Sequence, residues 1–360
     1  MNFIKVNQSI FEISNLNSIK FIDKYIWNKL VSSDNPLMSY DFFLALENSE
    51  CTSSANGWEP HHFIVKNVNK IVGIIPNFIK TNSNGEYVFD HAWADAYHRI
   101  GKNYYPKYLS AIPFTPINGD RFFFSQELYE NEKTEITNSL IKKVKKENIE
   151  TFHFNFINKE QSNYLEKFGF LQRVGIQYHW NNQNYDCFED FLSRLKSKKK
   201  KNILKERKYI KDKGIRVSCL KGSEIKEEDW DFFYNCYQNT ISKKWSFKYL
   251  NFNFFRELSK SKILDNILLI LAKDNSNKHI ACTLNFVGEK LYGRYWGSVK
   301  EVPFLHFELC YYQSIEYAIK NKIDLIEAGA QGEHKISRGY NPTLTYSTHW
   351  IRNSEMKSAI

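Results

Sequence analysis

The order of apolar and polar positions divides the chain into elements before any chemistry is considered. In the first half the periodicity predicts helices near 18–31 and 39–49, strands near 60–67 and 70–80, and a further strand at Tyr87–Phe89. A long helix near 125–147 follows, then a strand at Thr151–Ile157, a short helix at Gln161–Phe168 stopped by Gly169, and a strand at Leu171–Trp180. The second half reads helix 229–242, helix 247–260, strands 267–273, 279–287 and 290–296, helix 304–321, strand 323–328 and a last strand near 344–351. The halves barely share sequence, yet they share this order. An α/β (α+β) chain of two tandem domains, 1–183 and 184–360, is the expectation, each with a mixed, mostly antiparallel sheet flanked by helices. The halves meet near Asn181–Asp186.

The second domain opens with a basic helical segment, 188–213. Phe188, Phe191, Leu192 and Leu195 form one apolar face. Carrying that face onward would place Lys199 and Asn202 on it before Ile203 and Ile210 restore it. Either the helix breaks near Lys196–Ser197, or those lysines face something anionic. Lys198, Lys199, Lys200 and Lys201 are the candidates for holding an anionic donor, with a plainly solvated helix face as the structural alternative.

At 360 residues and 42% hydrophobic, the chain is long enough for two cores. No apolar run reaches the roughly 20 residues of a membrane span, and the start lacks a secretory pattern, so a cytoplasmic protein is expected. Six scattered cysteines form no CxxC or Cys/His cluster, so no structural metal or disulfide framework is expected. The formal charge of +10 is compatible with phosphate-bearing partners such as RNA.

Candidate chemistry concentrates in Glu327-Ala-Gly-Ala-Gln-Gly-Glu-His-Lys-Ile-Ser-Arg-Gly-Tyr340, a glycine-rich loop after a predicted buried strand. Glu333 and His334 are candidates to move protons there; Lys335 and Arg338 suit anion binding or a surface salt bridge, and Tyr340 closes the loop. On helix 304–321, Glu308 falls within the face of Leu305, Leu309, Tyr312, Ile315 and Ile319. It is either a buried base or a first-turn charge complementing the helix dipole. His306, on another side, is a candidate proton shuttle or a capping residue. Arg294 and Trp296 should share one face of their strand, with Tyr295 on the other. In the first half, Asp90, His91, Asp95 and His98 match no common metal spacing. Trp93, Asp95 and Tyr97 are instead read as lining an acceptor groove between the domains. Pro113-Phe-Thr-Pro116 is either one rim of it or a rigid turn.

Several blocks together resemble one family. They are Asn35-Pro-Leu-Met-Ser-Tyr-Asp-Phe42, Gly85-Glu-Tyr-Val-Phe-Asp-His-Ala-Trp-Ala-Asp-Ala-Tyr97, Tyr105-Pro-Lys, Pro113-Phe-Thr-Pro116, Gly293-Arg-Tyr-Trp-Gly297, Leu305-His-Phe-Glu-Leu-Cys-Tyr-Tyr-Gln313 and the 327–340 loop. With them, nearly the whole chain resembles the Fem-like branch of the GNAT acyltransferase superfamily, whose predicted N-acyltransferases carry the label peptidoglycan biosynthesis or recognition. The resemblance implies two tandem GNAT-like domains. Studied members of the broader family transfer amino acids from aminoacyl-tRNA to the amine of a cell-wall precursor. Two departures stand out: no long helical arm interrupts the second half, and Glu327-Ala-Gly-Ala stands where many members carry an Asp-Phe-Gly-Gly-like turn. His334-Lys335 and Gly339-Tyr340 look like the family's Phe-Lys and Gly-Phe pairs.

A CoA-dependent GNAT enzyme usually cradles pyrophosphate in an Arg/Gln-x-x-Gly-x-Gly/Ala loop. The corresponding place here reads Ser298-Val-Lys-Glu-Val-Pro-Phe-Leu, without a glycine pair. The implied function is transfer of an acyl or aminoacyl group from acyl-CoA or aminoacyl-tRNA as co-substrate to an amine, with a peptidoglycan precursor as one candidate acceptor and no cofactor required. The alternative is a non-catalytic module binding RNA or an anionic cell-wall precursor.

Overall fold

Thr151–Ile157 alternates Phe152, Phe154 and Phe156 with Thr151, His153 and Asn155, and every residue of it is buried. An alternating strand normally leaves one face to water, so here both faces are covered. Phe152 and Phe154 join Ile136, Leu140 and Val144 of helix Glu130–Lys146 in one core, the helix contributing positions four apart. The other face of the strand is polar and equally buried.

The computed structural model describes residues 2–6, 9–31, 34–243, 247–329 and 332–360. The chain falls into two compact units, one of Met1–Ser33, Met38–Gly175 and Leu344–Ile360, the other of Asp34–Leu37 and Ile176–Thr343. Among the described residues no helix is long and apolar enough to cross a membrane.

In the first unit an antiparallel sheet runs in the order Asn2–Val6, Ser9–Leu16, His62–Asn67, Lys70–Ile75, Phe123–Phe124. A second group runs Trp58–Pro60, Phe78–Lys80, Lys107–Ser110, Thr151–Ile157 and then the end of Asn341–Ile351, with only Lys107–Ser110 and Thr151–Ile157 parallel. Register here decides what shares a face. Lys80 is opposite Lys107, Leu109 is opposite His153, and His153 is opposite His349. Directly paired residues point to the same side, as do residues two apart, so Lys80, Lys107, His153 and His349 all project from one face.

The second unit's sheet runs Arg216–Lys221, Ile267–Lys273, His279–Val287, Leu291–Ser298, Leu325–Glu327 and the end of Leu171–Asn181. Helices Glu227–Lys243 and Phe252–Lys260 cover one face, where Phe233, Tyr237 and Phe255 ring Tyr295. Leu305, Leu309, Tyr312 and Ile315 pack on the other. The parallel ladder between Leu291–Ser298 and Leu325–Glu327 consists of Leu291↔Ile326 and Tyr292↔Glu327. The first unit's second strand group and the second unit's sheet are each mixed and mostly antiparallel, as the element order predicts, while the five-stranded sheet is wholly antiparallel.

Several local expectations need correction. Tyr87–Phe89 is not a strand: it pairs with no described neighbour, and Tyr87 turns the chain in the left-handed region at φ +59°. His91–Arg99 is a helix that the periodicity does not predict, because its apolar face is short. Asn2–Val6 and Ser9–Leu16 are strands before the first predicted element. The predicted helix 247–260 begins only at Phe252, after the Asn251 side chain caps it, and 18–31 is a 3₁₀ turn followed by helix Lys24–Val31. The basic segment breaks where its periodicity fails, into Phe188–Ser193 and Ser197–Asp212.

Candidate functional site

The helix predicted over 304–321 is regular at Leu305–Phe307, widens into a π-helix at Glu308–Tyr312, and resumes at Gln313–Lys320. A π segment rotates the side chains after it relative to a straight helix, and such insertions recur at functional sites. Phe304, preceding it, sits in the left-handed region at φ +68°, which a bulky residue adopts only where its surroundings compel it.

His306, Phe307 and Tyr311 project from this helix into one aromatic cluster. The His306 ring centroid lies 5.1 Å from that of Trp296, 5.4 Å from Tyr311 and 6.3 Å from His334. The Tyr311 hydroxyl and His334 Nε2 are hydrogen-bonded at 2.8 Å. Burial, reinforced by Arg338 and Lys335, lowers the His334 pKa below its ordinary value; burial raises that of Tyr311. At neutral pH the pair is therefore an uncharged imidazole beside a protonated phenol. A cavity of about 350 Å³ lies alongside, lined by Trp296, Ser298 and Lys300–Phe307. The loop Lys300–Pro303 also walls a second cavity of about 370 Å³, which Tyr209, Lys213 and Asp274–Ser276 help to line.

The loop after strand Leu325–Glu327 is held from within. Gly332 has φ +116°, and a Cβ there would lie 2.6 Å from His334 Cε1, so only glycine lets the imidazole approach. Glu333–Arg338 is a 3₁₀ turn ending at Gly339 in the left-handed conformation. Lys335, 2% exposed, donates to the carbonyls of Ala328 at 2.6 Å and Gly329 at 3.0 Å. Burial lowers its pKa to about 8, with Arg294 adding to the effect. The Arg338 guanidinium stacks on Phe307 at 3.4 Å, donates to the His334 carbonyl at 2.9 Å and pairs with Glu206 at 2.7 Å. Glu206 also accepts from the Tyr312 hydroxyl. Lys335 and Arg338, expected to bind an anion, thus face carbonyls and a carboxylate of the protein itself.

Glu308 is buried, and its oxygens accept from Arg207 at 3.0 and 3.2 Å and from Gln313 at 2.7 Å. Arg207 also pairs with Glu316. Glu333 and His334 are both exposed. Arg294 and Trp296 share a strand face and Tyr295 packs on the opposite one, as alternation requires. Tyr340 is buried against Tyr311. Ala330 and Gln331 of the loop lie outside the described residues. In Ser197–Asp212, Lys198 and Lys201 are exposed, Lys199 and Lys200 half-buried.

The first unit holds a different kind of cluster. Lys107, fully buried, pairs with Asp90 and with Glu86 at 2.8 Å, while Lys80 lies 3.9 Å from Glu86 and 4.0 Å from the Trp58 ring centroid. Burial raises the Glu86 pKa to about 7, against the pull of Lys107, and lowers that of Lys80 to about 7. Burial would raise Asp90 too, but Lys107 and His153 outweigh it and hold the carboxyl well below its ordinary range. The polar residues Asp90, His91, Asp95 and His98 do not converge, for Asp90 turns inward while the other three are exposed. Tyr97, read as lining a groove, is fully buried against Tyr104, Ile351 and Met356; Asp95 is exposed and Trp93 half-buried. Lys107, Glu86 and His153 went unremarked as chemistry because each sits in an ordinary strand or loop sequence. The available signal was Tyr105-Pro-Lys and the polar alternation of Thr151–Ile157.

Residues 18–360 match the FemAB-like family, described as peptidoglycan biosynthesis/recognition. No curated protein matches the chain significantly. Among solved structures it is similar to FemX, at 11% identity over 86% of this chain and 92% of that one, with a TM-score of 0.53. It is similar to L-PGS from Bacillus licheniformis at 8% identity, 87% and 91% coverage and a TM-score of 0.52. The C-terminal domain of a putative lysylphosphatidylglycerol synthetase from Agrobacterium fabrum gives 9% identity, 93% and 93% coverage and a TM-score of 0.55. At such identities the likeness is one of fold.

Proposed function

The chain belongs to the FemAB-like family, and from that premise we propose that it is an N-acyltransferase moving an acyl or aminoacyl group from an activated donor to an amine. The donor class is acyl-CoA or aminoacyl-tRNA, and the acceptor is the amine of a peptidoglycan precursor. The observation that carries this reading is the Tyr311–His334 hydrogen bond set beside His306 at an aromatic cavity.

In this reading the donor's acyl group enters the cavity between Trp296 and Phe307. The amine nitrogen attacks the acyl carbon; its proton passes to the Tyr311 oxygen as Tyr311 gives its own to His334 Nε2. The carbon–oxygen or carbon–sulfur bond to the donor then breaks, and the proton returns along the same path to the leaving atom. An uncharged imidazole is what such a base requires, and partial desolvation with Arg338 and Lys335 beside the ring favours it. Glu308, with its oxygens already occupied by Arg207 and Gln313, anchors the helix instead. The non-catalytic alternative accounts for exposed lysines in Ser197–Asp212 but gives the histidine–tyrosine pair no task.

The test is mass-spectrometric detection of a new amide when purified protein is given acetyl-CoA, long-chain acyl-CoA or charged tRNA with a panel of amines. Amide formation that disappears in His334→Ala supports the reading. Failure of every donor with folded wild type overturns it.

A further inference from the structure

The loop between strand Leu291–Ser298 and helix Leu305–Phe307 reads Val299-Lys-Glu-Val-Pro-Phe304, in the place where a CoA-dependent GNAT enzyme carries glycines. Bulky apolar side chains stand there instead. Phe304 keeps a left-handed backbone, φ +68°, which glycine would adopt freely and which strains a residue of its size. Trp296, Val302, Phe304 and Phe307 pack against the core of the second unit and yet remain half-buried, so that core runs out to the surface along one wall. The cavity of about 350 Å³ is the space they leave open.

The charged groups around this cavity are engaged elsewhere. Lys300 pairs with Asp274 at 3.3 Å and Glu301 with Lys243 at 2.7 Å, and neither Asp274 nor Lys243 lines the cavity. The Arg338 guanidinium that stacks on Phe307 pairs with Glu206. What remains is aromatic and aliphatic surface, with His306 and Ser298 as the uncommitted polar members of the lining. Apolar surface left facing water is costly, and an apolar ligand removes that cost. The volume lies within the roughly 300–1,000 Å³ of ordinary ligand sites. An acetyl, glycyl or alanyl group would leave most of it to water.

We infer that the acyl group transferred here carries a long aliphatic or an aromatic body, and that Trp296, Val302, Phe304 and Phe307 select it. The inference rests on the acyl-transfer reading and names the class of acyl group which that reading left open. Two sources share this chemistry, a medium-chain acyl thioester and an aminoacyl ester with a large apolar side chain. Each methylene buried against such a wall raises the preference about fourfold, so hexanoyl should be favoured over acetyl by about two-hundredfold. A carboxylate or ammonium on the chain finds no free counter-charge in the lining, since Lys300 and Glu301 are already paired.

The experiment measures kcat/KM for amide formation by the full chain with acetyl-, butyryl-, hexanoyl- and octanoyl-CoA, and separately with glycyl-, alanyl-, leucyl- and phenylalanyl-tRNA. The class that reacts identifies the source, and within it the larger apolar groups should be preferred, by about fourfold per methylene along the thioester series until the cavity is full. Val302→Asp should cut the hexanoyl-to-acetyl ratio, read within the one variant, by about tenfold or more. A kcat/KM that stays level or falls along both series overturns the inference and leaves acyl transfer standing. Absence of product with every donor overturns the transfer reading instead. A saturable tryptophan-fluorescence response to octanamide and not to acetamide, lost in Trp296→Phe, then still supports an apolar chain against Trp296, and silence in that titration overturns it too.

Discussion

Arg207 and Glu308 meet as two forks: Arg207 Nη2 lies 3.0 Å from one carboxylate oxygen of Glu308 and Nε lies 3.2 Å from the other. Glu316 accepts from the same guanidinium. The pair ties helix Ser197–Asp212 to the π segment that presents Tyr311. Removing one partner of a buried pair strands the other, at about 3–5 kcal/mol when burial is complete, and less here because Arg207 is about a quarter exposed. Arg207→Ala should therefore lower the thermal midpoint by several degrees. Glu308→Gln should retain most of kcat once corrected for the folded fraction; a loss of about a hundredfold or more in kcat would restore Glu308 as the base.

Loss of the imidazole should act on chemistry and spare the fold, because His334 is on the loop's exposed side. His334→Ala is expected to reduce kcat by about 10²–10⁴, the usual range for a proton-transfer group, with circular dichroism unchanged. Tyr311→Phe should fall in the same direction. Steady-state kinetics of amide formation on both variants gives the comparison.

Gly332→Ala makes a sharper demand on the loop. The added methyl meets His334 Cε1 at 2.6 Å, and φ +116° is foreign to alanine, so about 1–3 kcal/mol of strain is expected there. The imidazole should be displaced from Tyr311 while the global denaturation midpoint changes little. A variant with wild-type kcat would show that the 2.8 Å bond is not needed.

Stability against pH should have a minimum near neutrality, and the first unit is its source. Glu86 titrates at about 7 when folded, above its ordinary 4.5; between those values the folded state keeps a proton the unfolded chain has lost, so stability falls as pH rises. Lys80 titrates at about 7 when folded, below its ordinary 10.5; over that interval the unfolded chain holds the extra proton and stability rises with pH. Urea midpoints at pH 5, 7 and 9 should trace this shape. Glu86→Gln should flatten its acid limb and Lys80→Met its alkaline limb.

Lys198 to Lys201 allow a test of donor class. Replacing all four with alanine should weaken retention of charged tRNA and flatten its salt dependence, and leave acyl-CoA use unaffected, if a nucleic-acid donor approaches this segment. Filter binding across a salt series reads the effect.

The scaffold and part of the candidate site are legible in the sequence, and the division has physical causes. Long periodic stretches such as Glu130–Lys146 and Ile267–Lys273 identify themselves because one face or both must be apolar. The 327–340 loop identifies itself because glycines and charges at a strand end are expensive to keep without a use. What such patterns do not carry is pairing. Nothing local tells that Lys335 is turned onto the Ala328 carbonyl, or that Arg338 is matched to Glu206, 132 residues away. The π segment hides in an ordinary helical sequence, whose periodicity places Tyr312 on the apolar face and gives Tyr311 no part. Lys107 beside Asp90 and Glu86 depends on strand register, which alternation leaves undetermined until the neighbouring strand is known.

Because residues 344–360 belong to the same compact unit as 38–175, the first unit cannot close while the ribosome is still making the second. Its central strand Thr151–Ile157 waits for Tyr346–Ile351 on one side, and His153 waits for His349. For most of synthesis the nascent chain thus carries a buried-to-be edge that is open. The unit made first is completed last, and the hydrogen bond between His153 and His349 forms only when that strand docks.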